Sequence, residues 1–255
     1  IFDKEYYNKI KDFSQMFDFR SNGISNMLET GLPSQERFSL IKSDKKYDTD
    51  YNQDESEEIL KRFTELQEML GADLFKIEFN SLIGNPRKLT HKHNNKNFFL
   101  NFDDLYHVYA AWQIKRFINL YKKVKKINSI LEIGAGYGNL SHKIKSLYPE
   151  RKYYIIDLPE VLLIQHYYLS QNNPNYKIAN LLDYNQSIED PRDADIFLIP
   201  FSRYSDIKIN FDVAINHRSF GEMPKEMLRD YIKWIEKNIS ENGFLYTVNR
   251  YVFTK

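Results

Sequence analysis

The sequence predicts an α/β fold: a parallel sheet covered by helices over residues 127–255, preceded by a mostly helical region over residues 1–126. Three observations carry this. Short apolar runs at 127–133, 153–156, 196–199, 211–215 and 244–249 alternate with stretches of helical spacing. Pro159 and Pro224 stand where helices begin, which suits a fixed φ and a missing N–H. A glycine-rich turn, Gly134 to Gly138, separates the first run from the next helix.

The elements follow in order. Tyr6, Tyr7, Ile10, Phe13, Met16 and Phe17 fall on one helical face. Residues 43–58 are polar and read as a solvated loop. Asp48, Asp50, Asn52 and Asp54 in that loop imitate the start of a calcium loop. Gln53 replaces its sharp-turn glycine and Ile59 its bidentate glutamate, so a charged surface is the better reading. Ile59, Leu60, Phe63, Leu66, Met69 and Leu70 form a second stripe, with Gly71 as its stop. Gly84-Asn85-Pro86 is a turn. Asp103 or Asp104 caps a third helix carrying Leu105, Val108, Tyr109, Trp112 and Phe117. The lysines at 122, 123, 125 and 126 read as a solvated helix end. In the second region Leu140, Ile144, Leu147 and Tyr148 mark a helix ended by Pro149. Further helices span 159–170 and 223–239, and Asn242-Gly243 turns the chain into the last strand.

Composition narrows the function. The chain has 255 residues, 36 Lys and Arg against 35 Asp and Glu, and a formal net charge of +1. That balance disfavours a dedicated nucleic-acid binder, which carries a basic excess. With no cysteine, disulfides, thiolate catalysis and Cys-based zinc sites are excluded, in keeping with a reducing cytoplasm. No apolar run approaches the roughly 20 residues that cross a bilayer, and the first residues lack the pattern of a signal peptide. The chain does not begin with Met, which reads as a trimmed start.

The informative segment is Leu131-Glu132-Ile133-Gly134-Ala135-Gly136-Tyr137-Gly138-Asn139-Leu140. A glycine turn between strand and helix lets a ligand approach the backbone, and the helix start offers free N–H groups. The dinucleotide fingerprint G-x-G-x-x-G does not fit, because Asn139 stands where its last glycine belongs. A carboxylate at Glu132 is poorly matched to pyrophosphate. With Asp157 at the end of the next strand, the charge pattern suits S-adenosylmethionine, which carries a sulfonium, an ammonium and a ribose diol but no phosphate. Asp157 can accept both diol hydroxyls. Each residue also has a plainer reading: a tight turn for Gly134 and Gly136, a helix-start charge for Asp157, and a structural carboxylate for Glu132.

The run E-x-G-x-G-x-G followed by a strand ending in Asp resembles motifs I and II of the class I S-adenosylmethionine-dependent methyltransferases, whose sheet is Rossmann-like. Asp157-Leu158-Pro159-Glu160-Val161 is similar to a segment of many small-molecule O-methyltransferases. The stretch 216–224, Asn249-Arg250-Tyr251, Gly84-Asn85-Pro86 and 102–107 resemble the bacterial sugar O-methyltransferase family of capsule and other surface-polysaccharide pathways. The resemblance spans roughly residues 80–251. It implies Glu132, Gly134 and Gly136 around the methionine portion, Asp157 on the ribose, Leu158 on the adenine, and the loop at Phe201 facing the adenine, with Asn216 also on the cofactor side. The product would be S-adenosylhomocysteine. The final antiparallel hairpin of that class is absent from the sequence or truncated, which points either to a shortened chain or to a partner over the sheet edge. A homo-oligomer is a separate expectation.

Methyl transfer needs alignment of nucleophile and methyl, and a group to take the hydroxyl proton. Ligands of α/β sheets meet the C-terminal ends of the strands. His217 follows the fourth strand and, with an ordinary pKa near 6.5, is the first choice as base. Glu222 is the second, or orients His217; a structural histidine and a helix-start carboxylate are the plainer readings. Arg218 and Arg250 suit the phosphates of a nucleotide-activated sugar, and Tyr106 and His107 belong to the helical region expected to build the acceptor pocket. His91 and His93 alternate without a third ligand, so no metal site is assigned, although some sugar methyltransferases use a divalent ion. The expectation is a cytoplasmic O-methyltransferase acting on a sugar hydroxyl. Another small phosphorylated or phosphoramidate acceptor, or a non-catalytic cofactor-binding partner, are the alternatives.

Overall fold

The computed structural model describes residues 51–79, 81–84, 86–121, 126–180, 194–206 and 209–249. The chain divides into two compact units, residues 1–113 and 114–255. The stripe at Tyr6–Phe17, the aspartates at 48 and 50, Asn85, three of the four lysines at 122–126, and Arg250 lie outside the described residues.

In the first unit, helix α1 (Gln53–Leu70) starts earlier than its apolar stripe suggests. Asn52 accepts from the Glu55 backbone N–H at 2.9 Å while Glu55 accepts from the Asn52 N–H at 3.1 Å. This reciprocal box nucleates a helix in what the polarity marked as loop. Ile59, Phe63, Leu66 and Leu70 are buried and Gly71 ends the helix, but Met69 is exposed. An antiparallel hairpin, β1 (Leu89–His93) and β2 (Lys96–Leu100), follows. The sequence reading missed it. Its turn residues, Asn94 and Asn95, both have positive φ (49° and 61°), the backbone that a two-residue hairpin turn requires. His91 and His93 serve this layer as aromatic partners: His91 lies 5.1 Å from the ring of Phe63, and His93 stacks on Phe75 at 4.9 Å. Helix α2 (Phe102–Tyr121) is capped by neither expected aspartate. Asn101 accepts from the Asp104 N–H at 2.8 Å, and Asp104 is the buried partner of that cap.

The second unit holds a six-stranded sheet in the order β5-β6-β4-β3-β7-β8, and every pairing among the described residues is parallel. The strands are β3 (Ser129–Ile133), β4 (Lys152–Asp157), β5 (Ile178–Asn180), β6 (Ile196–Pro200), β7 (Phe211–His217) and β8 (Ile239–Val248). Helices α3 (Asn139–Leu147), α4 (Pro159–Asn172, with Pro159 in its first turn) and α5 (Lys225–Asn238) connect them. This is the predicted α/β sheet, with three differences. The short edge strand β5 lacks an apolar run. Helix α5 begins after Pro224, which acts as its N-cap residue. Strand β8 begins at Ile239 and reaches its main register only at Phe244, after an irregularity at the Asn242-Gly243 turn. β3 and β4 pair with buried residues on both faces, so their sequences are mostly apolar, with Glu132 the buried exception in β3. Asp212, buried beneath the start of the sheet, accepts from the Asn128 N–H at 2.7 Å and the Ser240 hydroxyl at 2.5 Å. It thereby fixes three strands at one end.

The order places a switch point between β3 and β7: the chain leaves β3 toward β4 on one side and returns to its other side as β7. The crevice of such a sheet opens beyond the C-terminal ends of these two strands.

Candidate active site

Beyond β3 the chain turns through Gly134, Gly136 and Gly138 into α3. Two of these glycines have different reasons to be glycine. Gly134 has φ +72°, its N–H donates to the Ile156 carbonyl at 2.9 Å, and a Cβ there would lie 2.1 Å from Ser219 Oγ. It is glycine because the loop after β7 packs onto it. Gly136 has φ +58° and is exposed, and among the described residues a Cβ there would meet nothing within 4 Å. Its open face is the one a ligand can reach.

Asp157 stands at the end of β4 beside this turn. Its Oδ1 accepts from the Leu158 N–H at 2.8 Å and its Oδ2 from Gln165 Nε2 at 2.7 Å. Burial pushes its carboxyl up to about 7, against these hydrogen bonds and one from the Ala135 backbone. Leu158, next to it, keeps 36% of its surface exposed, unusual for a leucine at a strand end. An acceptor, an apolar platform and an uncovered stretch of backbone thus adjoin one another. They fit a ligand that carries a diol and a flat heterocycle.

Glu132 is placed differently from what the charge argument expects. It is only 1% exposed, and its Oε2 accepts from the Ser141 hydroxyl at 2.6 Å and the Tyr153 hydroxyl at 2.7 Å. Burial lifts its carboxyl to about 7. It ties β3 to α3 and β4 beneath the turn. Asn216 is likewise fully buried with both ends occupied. Its amide donates to the Ile133 carbonyl at 2.9 Å and to Ser219 Oγ, and its oxygen accepts from the Phe220 N–H and from Asn249. Phe201 is half-buried and packs against the core cluster under β6 and α5.

His217 closes β7, paired with Val248 of β8. Burial, helped by the neighbouring Arg218 charge, lowers its imidazole to about 4, so the unperturbed value assumed from sequence does not hold here. Arg218 has φ +74°, a left-handed backbone that a residue with a Cβ adopts only when held, and its N–H donates to the Val248 carbonyl at 2.7 Å. Glu222 is exposed and sits in a short 3-10 turn (Phe220–Glu222) ahead of α5, rather than at the helix start. Tyr106 and His107 belong to the first unit. The Tyr106 hydroxyl accepts from Arg62 at 2.6 Å, and the Arg62 guanidinium lies 5.2 Å over its ring. Among the described residues no three His, Asp or Glu side chains gather as a metal site, and no helix is long and apolar enough to cross a membrane.

Comparison with known proteins bears on this arrangement. The sequence model of the O-methyltransferase domain matches residues 63–193, just over half of the chain. The chain belongs to the O-methyltransferase domain family. The matched part of this O-methyltransferase domain protein includes Tyr106, His107, the glycine turn, Asp157 and Leu158, and ends before Phe201 and the β7 loop. No curated protein matches the chain by sequence. Solved structures similar to it include the plantazolicin methyltransferase BpumL in complex with SAH, at 18% identity and TM-score 0.43, covering 58% of this chain and 48% of that one. Another is SAM-bound CalS10, an amino pentose methyltransferase from Micromonospora echinaspora, at 14% identity and TM-score 0.41, covering 56% of this chain and 50% of that one. A third is the mitomycin 7-O-methyltransferase MmcR, at 12% identity and TM-score 0.38, covering 60% and 41%. The O-methyltransferase domain protein thus spans about half the length of BpumL and CalS10.

Gln165 escaped the sequence reading of this O-methyltransferase domain site, and Ser219 and Asn249 entered it only within the stretches that carry the resemblance, with no role of their own. Ser219 Oγ donates to the Ile133 carbonyl at 3.0 Å, and the Asn249 amide donates to Asn216 at 3.0 Å. Each is a small polar residue whose partner is remote in sequence, and no local spacing marks it.

Proposed function

We propose that this protein transfers a methyl group from S-adenosylmethionine to a hydroxyl of a sugar, nucleotide-activated and destined for capsule or another surface polysaccharide. The observation that carries the donor half is the adjacency of Asp157, exposed Leu158 and the open face of Gly136. Asp157 would hold the ribose diol, Leu158 the adenine and the turn the methionine portion, with Phe201 lining the adenine side. Glu132 and Asn216 support the turn from below. S-adenosylmethionine supplies an activated methyl on a sulfonium that leaves readily.

The rest of the chemistry falls to this chain. Burial lowers the His217 imidazole to about 4, so near neutral pH it would meet the acceptor hydroxyl as the uncharged ring. A weak base suffices there, because an alcohol oxygen becomes strongly acidic once it carries a methyl group. Alignment therefore carries more of the acceleration than basicity. Arg218, with Arg250, would hold the acceptor's phosphates, since a guanidinium grips phosphate through two N–H groups. The family resemblance of residues 216–224 supports the sugar acceptor. Glu222, which follows in the same loop, would orient His217 or serve as the base in its place. The protein is read as cytoplasmic and as forming homo-oligomers.

The test has two stages. Calorimetry with S-adenosylhomocysteine should show one site per chain. Incubation with S-adenosylmethionine and a panel of nucleotide sugars should then add one methyl mass to at least one of them. Donor binding with no methylated sugar, but methylation of another phosphorylated metabolite, would overturn the sugar assignment.

A further inference from the structure

Gln165 lies on α4, and its side chain is completely buried. Its Nε2 donates to the Gly136 carbonyl at 2.7 Å and to Asp157 Oδ2 at 2.7 Å. Its Oε1 is buried with no hydrogen-bond partner among the described residues. A buried amide with one end unsatisfied is costly, since the unpaired oxygen loses its hydration without replacement. The neighbouring α4 positions are apolar and buried, as Val161, Leu162, Leu163, Ile164 and Leu169 show, so leucine would pack here without that cost. The return for this cost is a link: one amide joins the turn after β3 to the carboxylate at the end of β4.

We propose that Gln165 is a positioning residue, tying the donor-binding turn to Asp157 and keeping that carboxylate a fixed, ionised acceptor for the donor's ribose. This rests on the reading of Asp157 as the ribose acceptor. The groups around Asp157 show why such a device is needed. Glu132 on β3 and burial both favour its neutral form, and the Tyr231 hydroxyl on α5, itself raised by burial, feels the Asp157 charge. Against them stand the backbone N–H groups of Leu158 and Ala135, and Gln165 as the side-chain donor. Removing that donor leaves the carboxylate free to rotate away from the turn and easier to protonate.

The experiment measures two things in wild type, Gln165→Leu and Gln165→Glu. One is the ¹³C titration of the Asp157 carboxyl without ligand. The other is the Kd of S-adenosylhomocysteine from about pH 6 to about pH 9. A hydrogen bond to a charged group is worth enough to move a carboxyl by about one pH unit or more. Gln165→Leu should therefore raise the Asp157 midpoint by about that much, weaken the ligand about 10-fold near neutrality, and recover most of the affinity at the alkaline end. Gln165→Glu keeps the size but adds a like charge, and should raise the midpoint further. An unmoved Asp157 titration in either folded variant, or an equal loss of affinity at all pH values, overturns the proposal. If wild type binds no S-adenosylhomocysteine, the donor reading fails by itself, while the carboxyl titration still decides whether Gln165 governs Asp157.

Discussion

A Cβ on Gly134 would lie 2.1 Å from the hydroxyl oxygen of Ser219 and 2.4 Å from its Cβ. The two residues lock the end of β3 against the loop after β7, while Gly136, two positions on, has open space above it among the described residues. Alanine at the two sites should therefore separate fold from ligand binding. Gly134→Ala combines a left-handed backbone with overpacking and should cost about 2–5 kcal/mol of stability in urea unfolding. Gly136→Ala should cost only about 1–2 kcal/mol. It should nonetheless weaken S-adenosylhomocysteine by about 10-fold or more in calorimetry, because its new methyl occupies the ligand side. Adding Ser219→Gly should restore the packing part of the Gly134→Ala loss and not the backbone part.

Glu132 gives the fold a pH dependence opposite to that of a paired surface carboxylate. Its folded-state pKa is raised from 4.5 to about 7, so the folded state holds a proton that the unfolded chain has released. Stability is then greatest below the unfolded value and falls as pH rises from about 4.5 to about 7. The loss from this group is on the order of 3 kcal/mol. Glu132→Gln keeps a neutral group of the same shape and should flatten that fall in urea melts across the range. An unchanged slope in the variant would show that the dependence comes from elsewhere.

Asp157→Ala removes the acceptor beside the turn and should weaken S-adenosylhomocysteine by about 10- to 100-fold, the range for a charge-assisted hydrogen bond. In wild type the same affinity should fall as pH drops through about 7, where burial places this carboxyl. Calorimetry at both ends of that range checks each outcome.

Burial, with the Arg218 charge beside it, lowers the His217 imidazole to about 4. At saturating donor and acceptor, kcat should stay level as pH falls from about 8 to about 6, with none of the decline that an ordinary histidine produces. His217→Ala should lower kcat by about 10²–10⁴-fold, the usual weight of a positioned proton acceptor. The Kd of S-adenosylhomocysteine should be nearly unchanged. A kcat that drops through the ordinary histidine range would assign the proton to another group.

Much of this was legible in the sequence because it is local. The strands at 129–133, 152–157, 196–200 and 211–217 are largely buried on both faces, and their sequences are mostly apolar, with buried polar residues such as Glu132, Asp212 and Asn216 as the exceptions. The turn declares itself through glycines whose φ is positive, and Pro159 marks a helix start through its own geometry. What escaped reading depends on partners far along the chain or on backbone that several residues can adopt. Glu132 looks like a ligand group until Ser141 and Tyr153 are seen to surround it. Asn94-Asn95 lacks the glycine that usually signals a hairpin turn, although asparagine tolerates the same φ. Asn101 and Asn52 cap their helices where neighbouring acids drew attention instead. The pKa of His217 reflects burial by the whole strand end, which no residue type encodes.

The lock between Ser219 and Ile133 also bears on how the molecule is made. Its two ends are separated by 86 positions. During synthesis β3 and β4 emerge well before the loop after β7, so the glycine turn exists for that interval without its fastener.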